Sequence, residues 1–576
     1  YTFQSPGRYI IRATDLLANA SADHFYRLSV GPFAYVTAAY PMAVAANSQS
    51  NIQLAGYNLA NATIPLKSAG AGEMDVPLDP NVYRTRRSMK VMVSASAEPM
   101  EVEPNDTPQQ ATAIPMPANV NGRIGPTTQP GQIDVDLYRF EAKKNQNYVI
   151  ETLAARRGSP VDTKIEVLHP DGRPVERVIL KAVRDSYITF RGFDANQAGA
   201  RLQNWEEMEL NQFLYIQGEV VKLFLAPRGP DSEYNFYQSA GKRRCYFDTS
   251  GTAHALDEHC YIVEPLPPGS KFPATGLPII PLFYANDDDG LRQLGSDSRL
   301  MFTAPADASY LVRVSDVRGF SGDRFVYRLT VRESKPDFNV VLEGVNASIP
   351  AGSGRAFTVR ADRIDGFEGE IKVNISDVPA GFVISNPLTI EAGHTSATGS
   401  VFAFPDAPMP SASMKTKLTA TAMIDGKPTT KPVNDFPKLN RVAGNPGLLV
   451  ALEPYQPAAP TTQPTTKPTT RPIEFKPFEL SIAPGQMIPA MLKINRNGVG
   501  GPISFDVDNL PHGIIVADIG LNGVLIPEGQ SERQIFISCA PNVGETDRLC
   551  YAKAREAGNP TSLPLLLHVR KPMQKQ

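Results

Sequence analysis

The chain has 576 residues, 42% of them hydrophobic, with 52 prolines, 43 glycines and a formal net charge of -2. That length exceeds one hydrophobic core and suggests roughly four domains at about 150 residues each. The near-neutral charge gives no basis for a nucleic-acid or anionic-membrane partner, and no apolar run of about 18 residues reads as a membrane span.

Prolines and glycines are spread along the chain, which favours short strands joined by turns over helices. The first element is half of an internal repeat. Tyr1–Val30 (YTFQSPGRYIIRATDLLANASADHFYRLSV) follows the pattern of Met301–Val331 (MFTAPADASYLVRVSDVRGFSGDRFVYRLTV). Each has a proline turn, a Tyr-Ile/Leu-Ile/Val-Arg strand, an aspartate, a polar loop and a closing Tyr-Arg-Leu-Ser/Thr-Val strand. The second copy has a preceding half, from about residue 100. Residues 1–31 are therefore expected to be the C-terminal half of a β-sandwich. Their strands would pair with an upstream part of the same precursor or with another subunit, because a bare strand edge invites aggregation. The first residues lack the basic and apolar regions of a signal peptide, and the polar C-terminus carries no anchor.

Residues 32–98 read as a further strand-turn-strand domain, and 99–333 as the complete sandwich, with an insertion at about 195–290. Asn204–Leu214 is the best helix candidate, followed by a hairpin over Leu214–Leu225 that turns at Gln217-Gly218. Gly366–Gly381 matches Gly498–Gly513: a glycine turn, an alternating strand, then a Pro-x-Gly turn. That repeat implies two Ig-like sandwiches, 334–445 and 476–572. Between them, 446–475 reads as a linker. Its Pro457–Pro472 tract, with proline every fourth residue, favours an extended spacer and is a composition that carries O-glycans outside cells. The fold class expected is all-β: tandem β-sandwiches with little helix.

Four cysteines form two local couples, Cys245 with Cys260 and Cys539 with Cys550. The spacing fits two disulfides, with four buried free thiols as the alternative. Disulfides would imply an extracytoplasmic protein.

Glu101-Val-Glu-Pro-Asn-Asp-Thr107, Ala111, Ile114, Gly131–Glu141, Asp171-Gly172 and Tyr327–Val331 resemble the bacterial pre-peptidase C-terminal (PPC) domain. This is a jelly-roll-like sandwich module of secreted peptidases and large envelope proteins. The resemblance covers about 100–333 and, through the repeat, 1–31. Tyr40-Pro41 and Gly56–Leu59 make 32–98 similar to IPT/TIG-type immunoglobulin-like units. The PPC resemblance implies a calcium site between the acidic segment and the Asp-x-Asp-x-Tyr strand, at Glu101, Glu103, Asn105, Asp106, Asp134 and Asp136. The chemistry agrees, since calcium takes six to eight hard oxygens and neutralises carboxylates that would otherwise repel. The alternative is a turn in which Asn105 and Asp106 cap backbone amides.

Other acidic or metal-like stretches are weaker. Asn286-Asp-Asp-Asp-Gly290, with Asp297, lacks EF-hand spacing and reads as a solvated turn. His254 and His259 are spaced wrongly for one helical face. Glu206 and Glu207 beside Trp205, the only tryptophan, point apart. No GxSxG, HExxH or cysteine-peptidase signature is present. The expected function is a non-catalytic structural component of a bacterial cell-surface or secreted assembly. The competing expectation is a polysaccharide- or protein-binding accessory region of a larger secreted hydrolase.

Overall fold

A computed structural model describes residues 3–15, 19–127, 133–411, 415–444, 446–456, 475–517 and 523–571. Among them the regular structure is 44 strands and one 3-10 turn, Ala155–Arg157. The protein is a tandem array of β-sandwiches.

The first module packs a four-stranded sheet (order 63–67, 49–57, 34–40, 83–85) on a three-stranded one (43–45, 90–94, 72–75). Val36, Ile52, Leu54, Leu66, Val91 and Val93 fill the space between. The second module sets two sheets face to face, with the alternating apolar residues of each turned toward the other. One has the order 285–286, 163–168, 308–316, 136–142, 112–113, and the other 299–303, 147–153, 326–333, 118–123. Its core includes Tyr138, Phe140, Phe302, Tyr310, Val312, Tyr327, Leu329 and Val331. The last six of these belong to the second copy of the N-terminal repeat, where they are buried.

The first copy is not buried. Described residues 3–15 and 19–33 form no strand, and Ile10 is 97% and Phe25 89% exposed, with Tyr26, Leu28 and Val30 also exposed. Among the described residues, nothing supplies the sheet that covers their counterparts.

Between strands 163–168 and 285–286 the chain builds a seven-stranded sheet with its own core, order 199–200, 234–236, 219–225, 213–216, 259–266, 176–187, 279–283. The Gln217-Gly218 turn joins strands Phe213–Ile216 and Glu219–Leu225, with both turn residues at positive φ (42° and 98°). That geometry matches the twist of a two-residue hairpin. Asn204–Leu214 is not a helix but a series of turns. Asn211 at φ 70° is left-handed, which no α-helix tolerates. Glu207 turns inward, where it accepts from Ser186 Oγ at 2.6 Å.

The last two modules realise the second repeat. Strand Ile371–Ser376 pairs with 388–390 and 417–424, and Ile503–Asp508 pairs with 524–526 and 546–554. The expected linker from 446 begins instead with a strand, Leu448–Pro454. It pairs along its whole length with Met487–Arg496 inside the last sandwich. Leu448, Val450 and Leu452 present three apolar residues to that core, so the alternation overrides the proline-rich surroundings. The Pro457–Pro472 tract lies outside the described residues.

The modules touch through charged and aromatic contacts. Arg244 of the insertion holds Glu368 with two bonds, 2.7 and 3.1 Å. His394 and His512, from the two C-terminal modules, meet at 5.0 Å against Phe224 and Tyr237 of the insertion. Arg548 bonds Glu391 at 3.0 Å across the same seam.

The four cysteines are free, buried thiols, which corrects the disulfide expectation. The reason is strand adjacency. Cys260 lies opposite Ser186 and Ile216, whereas Cys245 points its thiol at Glu219 Oε1, 3.4 Å away. Cys539 and Cys550 sit on strands of opposite sheets, and their thiols meet the carbonyls of Ala540 (3.6 Å) and Leu565 (3.5 Å). The acidic stretch near 286–297 is not a solvated turn either. Asn286, Asp289 and Asp297 are buried. Asp297 accepts from the amides of Ala154 (2.9 Å), Ala155 (2.7 Å) and Arg156 (3.2 Å), capping the 3-10 turn.

Candidate metal centre

The acidic segment 101–106 crosses the open end of the second sandwich beside strands Ala118–Arg123, Asp136–Ala142 and Val326–Glu333. Alternation on Asp136–Ala142 sends Asp136, Tyr138 and Phe140 inward, and an aspartate at the first of these positions is carried into the module's end. Backbone pairing fixes the segment opposite it. Glu101 N donates to Asn121 O at 3.0 Å, and Leu137 N to Asn105 O at 3.2 Å.

The fold brings the five expected carboxylates together, with Asn105 lying between Glu103 and Asp106 on the same segment. Ligand oxygens of Glu101, Glu103 and Asp136 lie within 4.8 Å of one another, and so do those of Glu103, Asp106 and Asp134. Glu103 belongs to both sets. Several carboxylates are anchored by a donor. Glu101 Oε2 accepts from Arg123 N at 2.6 Å, Glu103 Oε2 from Asn105 N at 3.1 Å and Asp106 Oδ1 from Val135 N at 3.3 Å. Asp134 accepts from Gly125 N, and Asp136 Oδ2 from the Tyr327 hydroxyl at 2.5 Å. The Tyr327 hydroxyl also meets that of Tyr138 at 2.6 Å.

Two observations distinguish this cluster from a capped turn. Asn105 is 0% exposed, yet neither its Oδ1 nor its Nδ2 has a partner, and the second oxygen of Asp136, Oδ1, is likewise buried and unpartnered. A buried polar atom without a partner costs about 1–3 kcal/mol, and Asp136 Oδ1 is such an atom on a carboxylate grouped with those of Glu101 and Glu103. Burial, reinforced by Glu103 and then Asp134, pushes Glu101 up to about 8. Burial, then Glu103 and Asp106, pushes Asp134 up to about 6. Asp136 and Glu103 are raised too, chiefly by burial. Arg123 is the cation that acts on Glu101, and its guanidinium lies over the Tyr40 ring at 5.1 Å. Five carboxyls and one amide carbonyl are a hard-oxygen donor set that fits calcium.

The cluster also lies on the joint with the first module. Tyr40 donates to Asn121 O at 3.2 Å and reaches Glu101 Oε1 at 3.4 Å. Asn121 Oδ1 accepts from Ala43 N at 2.9 Å, and Ala38, Tyr40 and Met42 pack on Val326. Sequence reasoning found the acids but missed Tyr40, Asn121 and Tyr327 as their support. Tyr327 was visible as the tyrosine of the closing motif and Tyr40 as part of Tyr40-Pro41, though neither pattern tied them to the acids; Asn121 carries no local signal.

Gly122 provides a test of that support. A Cβ there would come within 2.5 Å of Tyr327 Oη and 2.7 Å of Tyr138 Oη, both on buried rings. Gly122→Ala is expected to destabilise the second module by about 1–3 kcal/mol through overpacking and to weaken cation binding through Asp136. Urea unfolding and calcium titration of the same variant check both effects.

No family model and no curated protein matches the chain. Among solved structures it is similar to a protein of unknown function from Porphyromonas gingivalis W83 (11% identity, 40% of this chain and 99% of that one, TM-score 0.16). It is also similar to fibronectin(III)-like modules of Clostridium thermocellum CbhA (10% identity, 41% and 98%, TM-score 0.12). A third likeness is to domains 4–9 of the surface layer protein SbsC (13% identity, 63% and 47%, TM-score 0.18). Scores this low carry nothing about function. No helix among the described residues is long and apolar enough to cross a membrane.

Proposed function

We propose that this chain is a non-catalytic structural component of an extracytoplasmic assembly, at the cell surface or secreted, in which calcium locks the first module against a PPC-like second sandwich. The observation that carries this reading is the acid cluster at the joint, with Asn105 and the Asp136 Oδ1 buried without partners. Held by oxygens from the 101–106 segment and from Asp134 and Asp136, the ion would tie the chain leaving the first module to the sandwich that follows. An exposed apolar N-terminal segment, whose repeat copy is buried core, supports a role within a larger assembly: its natural cover is the front half of a like sandwich.

Calorimetric titration of calcium into the EDTA-treated chain tests the proposal. Saturable binding that disappears in the Asp134→Asn/Asp136→Asn variant is expected, together with a smaller radius of gyration in calcium than in EDTA. Absence of binding heat at millimolar calcium would refute the site. Binding without any change in scattering would remove the mechanical role.

A further inference from the structure

A cleft of about 1140 Å³ opens where the insertion, the second sandwich and the third sandwich meet. Its walls are fixed by the Arg244–Glu368 pair and by Arg299–Asp365 at 3.2 Å, so its shape does not depend on the acid cluster at the other joint.

The charges along one wall do not balance. Lys222, Arg244 and Arg363 all line the cleft, and Arg244 acts as a neighbouring like charge on each of the other two. Glu368 is the acid that all three share, and Arg244 already takes both of its oxygens. Asp289 is a more distant influence on Arg244. Arg363 spends its guanidinium on carbonyls, those of His394 (2.8 Å), Gly369 (2.6 Å) and Glu391 (2.8 Å). Lys222 has no ion pair among the described residues. Its ammonium lies 5.2 Å from the Tyr237 ring centre and 5.7 Å from that of Phe213. Burial, with Arg244 nearby, lowers its pKa, as an ammonium short of a counter-ion requires. Arg177, Arg299 and Arg360 are paired with Asp248, Asp365 and Asp362, and Asp289 also lines the cleft, so six cations face five acids and an entering anion meets about one unmatched positive charge, at Lys222.

The remaining lining defines what carries the anion. Tyr246 and Phe247 are half-buried at the cleft, with the Arg244 guanidinium 4.7 Å from the Tyr246 ring centre and that of Arg177 6.0 Å from the Phe247 ring centre; the remaining ring surface is open to an occupant. Asp248 and Asp362 stand among the basic residues. Interspersed acids repel a polyphosphate but accept hydroxyl donors, while aromatic faces take the apolar faces of pyranose rings. We infer that this cleft binds an acidic oligosaccharide, with a carboxylate or sulfate of one sugar at Lys222 and a neighbouring ring against Tyr246.

The test uses the whole chain and calorimetry with four probes: trigalacturonate, a chondroitin sulfate tetrasaccharide, maltotriose and hexaglutamate. Binding of either acidic sugar, weakened about tenfold or more in Lys222→Met and also in Tyr246→Ala, is expected. Which acidic sugar binds tighter tells carboxylate from sulfate. Lys222→Met breaks no ion pair and loses only the contacts with the Tyr237 and Phe213 rings, so its unfolding midpoint should stay within a few degrees of the parent's. Asp134→Asn should keep sugar binding while losing calcium, which separates failure of this site from failure of the metal centre. Equal binding of maltotriose, tighter binding of hexaglutamate, or full binding by Lys222→Met would each overturn the inference.

Discussion

Glu219→Ala is expected to destabilise the insertion by about 3–5 kcal/mol, as removal of one partner from a buried ion pair does elsewhere. Glu219, Arg243 and His254 side chains are all 0% exposed. One carboxylate serves three donors at close range: Arg243 through Nε (2.5 Å) and Nη2 (2.9 Å), His254 Nε2 (2.9 Å) and Thr252 N (3.0 Å). Burial alone would raise the Glu219 pKa. Hydrogen bonds from His254 and Arg243 overcome it and hold the group at about 2. Without the carboxylate, Arg243 keeps the carbonyls of Asp194 and Gln197 and its place 4.7 Å over Phe193, but has no counter-charge. Glu219→Gln, which keeps the shape and loses the charge, should fall between parent and alanine in urea unfolding. A loss under about 1 kcal/mol in the alanine variant would show that water reaches the guanidinium.

The second large effect is a dependence on pH that calcium reverses. Carboxyls whose folded pKa is raised contribute stability that is complete below their unfolded pKa and is lost as pH rises through the folded values. Here those values are about 6 for Asp134 and about 8 for Glu101, with Asp136 raised as well. The EDTA-treated chain is therefore expected to melt at falling temperature from about pH 5 to about pH 8.5. Calcium binds the deprotonated cluster, so its affinity should rise across the same interval, with proton release on binding. At a calcium concentration 100 times the dissociation constant the gain is about 2.7 kcal/mol. Melting curves in EDTA and in calcium should coincide near pH 5 and separate by several degrees near pH 8.5. Superimposed curves at every pH would count against a metal centre.

Much of the fold was legible because alternation is local. Ile371, Val373 and Ile375 are buried and Lys372, Asn374 and Ser376 exposed, as the strand pattern states. The acid cluster was legible for a different reason: two short motifs carry all six residues, and the sandwich needs only to fold to bring them together. The thiols were misread because an even count and close spacing say nothing about which strands become neighbours. Cys260 faces Ser186, a residue 74 positions away, and no local signal encodes that. The Asn204–Leu214 turns were misread because polar residues with scattered apolar ones mimic a helix, while the outcome rests on Glu207 finding Ser186 and on one left-handed Asn211. The cleft was invisible in the sequence: its lining runs from Asn147 to Thr395, and no stretch of it carries a motif.

Strand Leu448–Pro454 changes what the threonine- and proline-rich stretch is for. The chain departs from the last sandwich at Pro454 and rejoins the same sandwich at Glu479, so both ends of the tract are rooted in one body. Tension pulled along the array runs from strand Asn440–Val442 into Leu448–Pro454 and across its pairing to Met487–Arg496, bypassing the tract. The spacing of the modules is therefore independent of the tract's length.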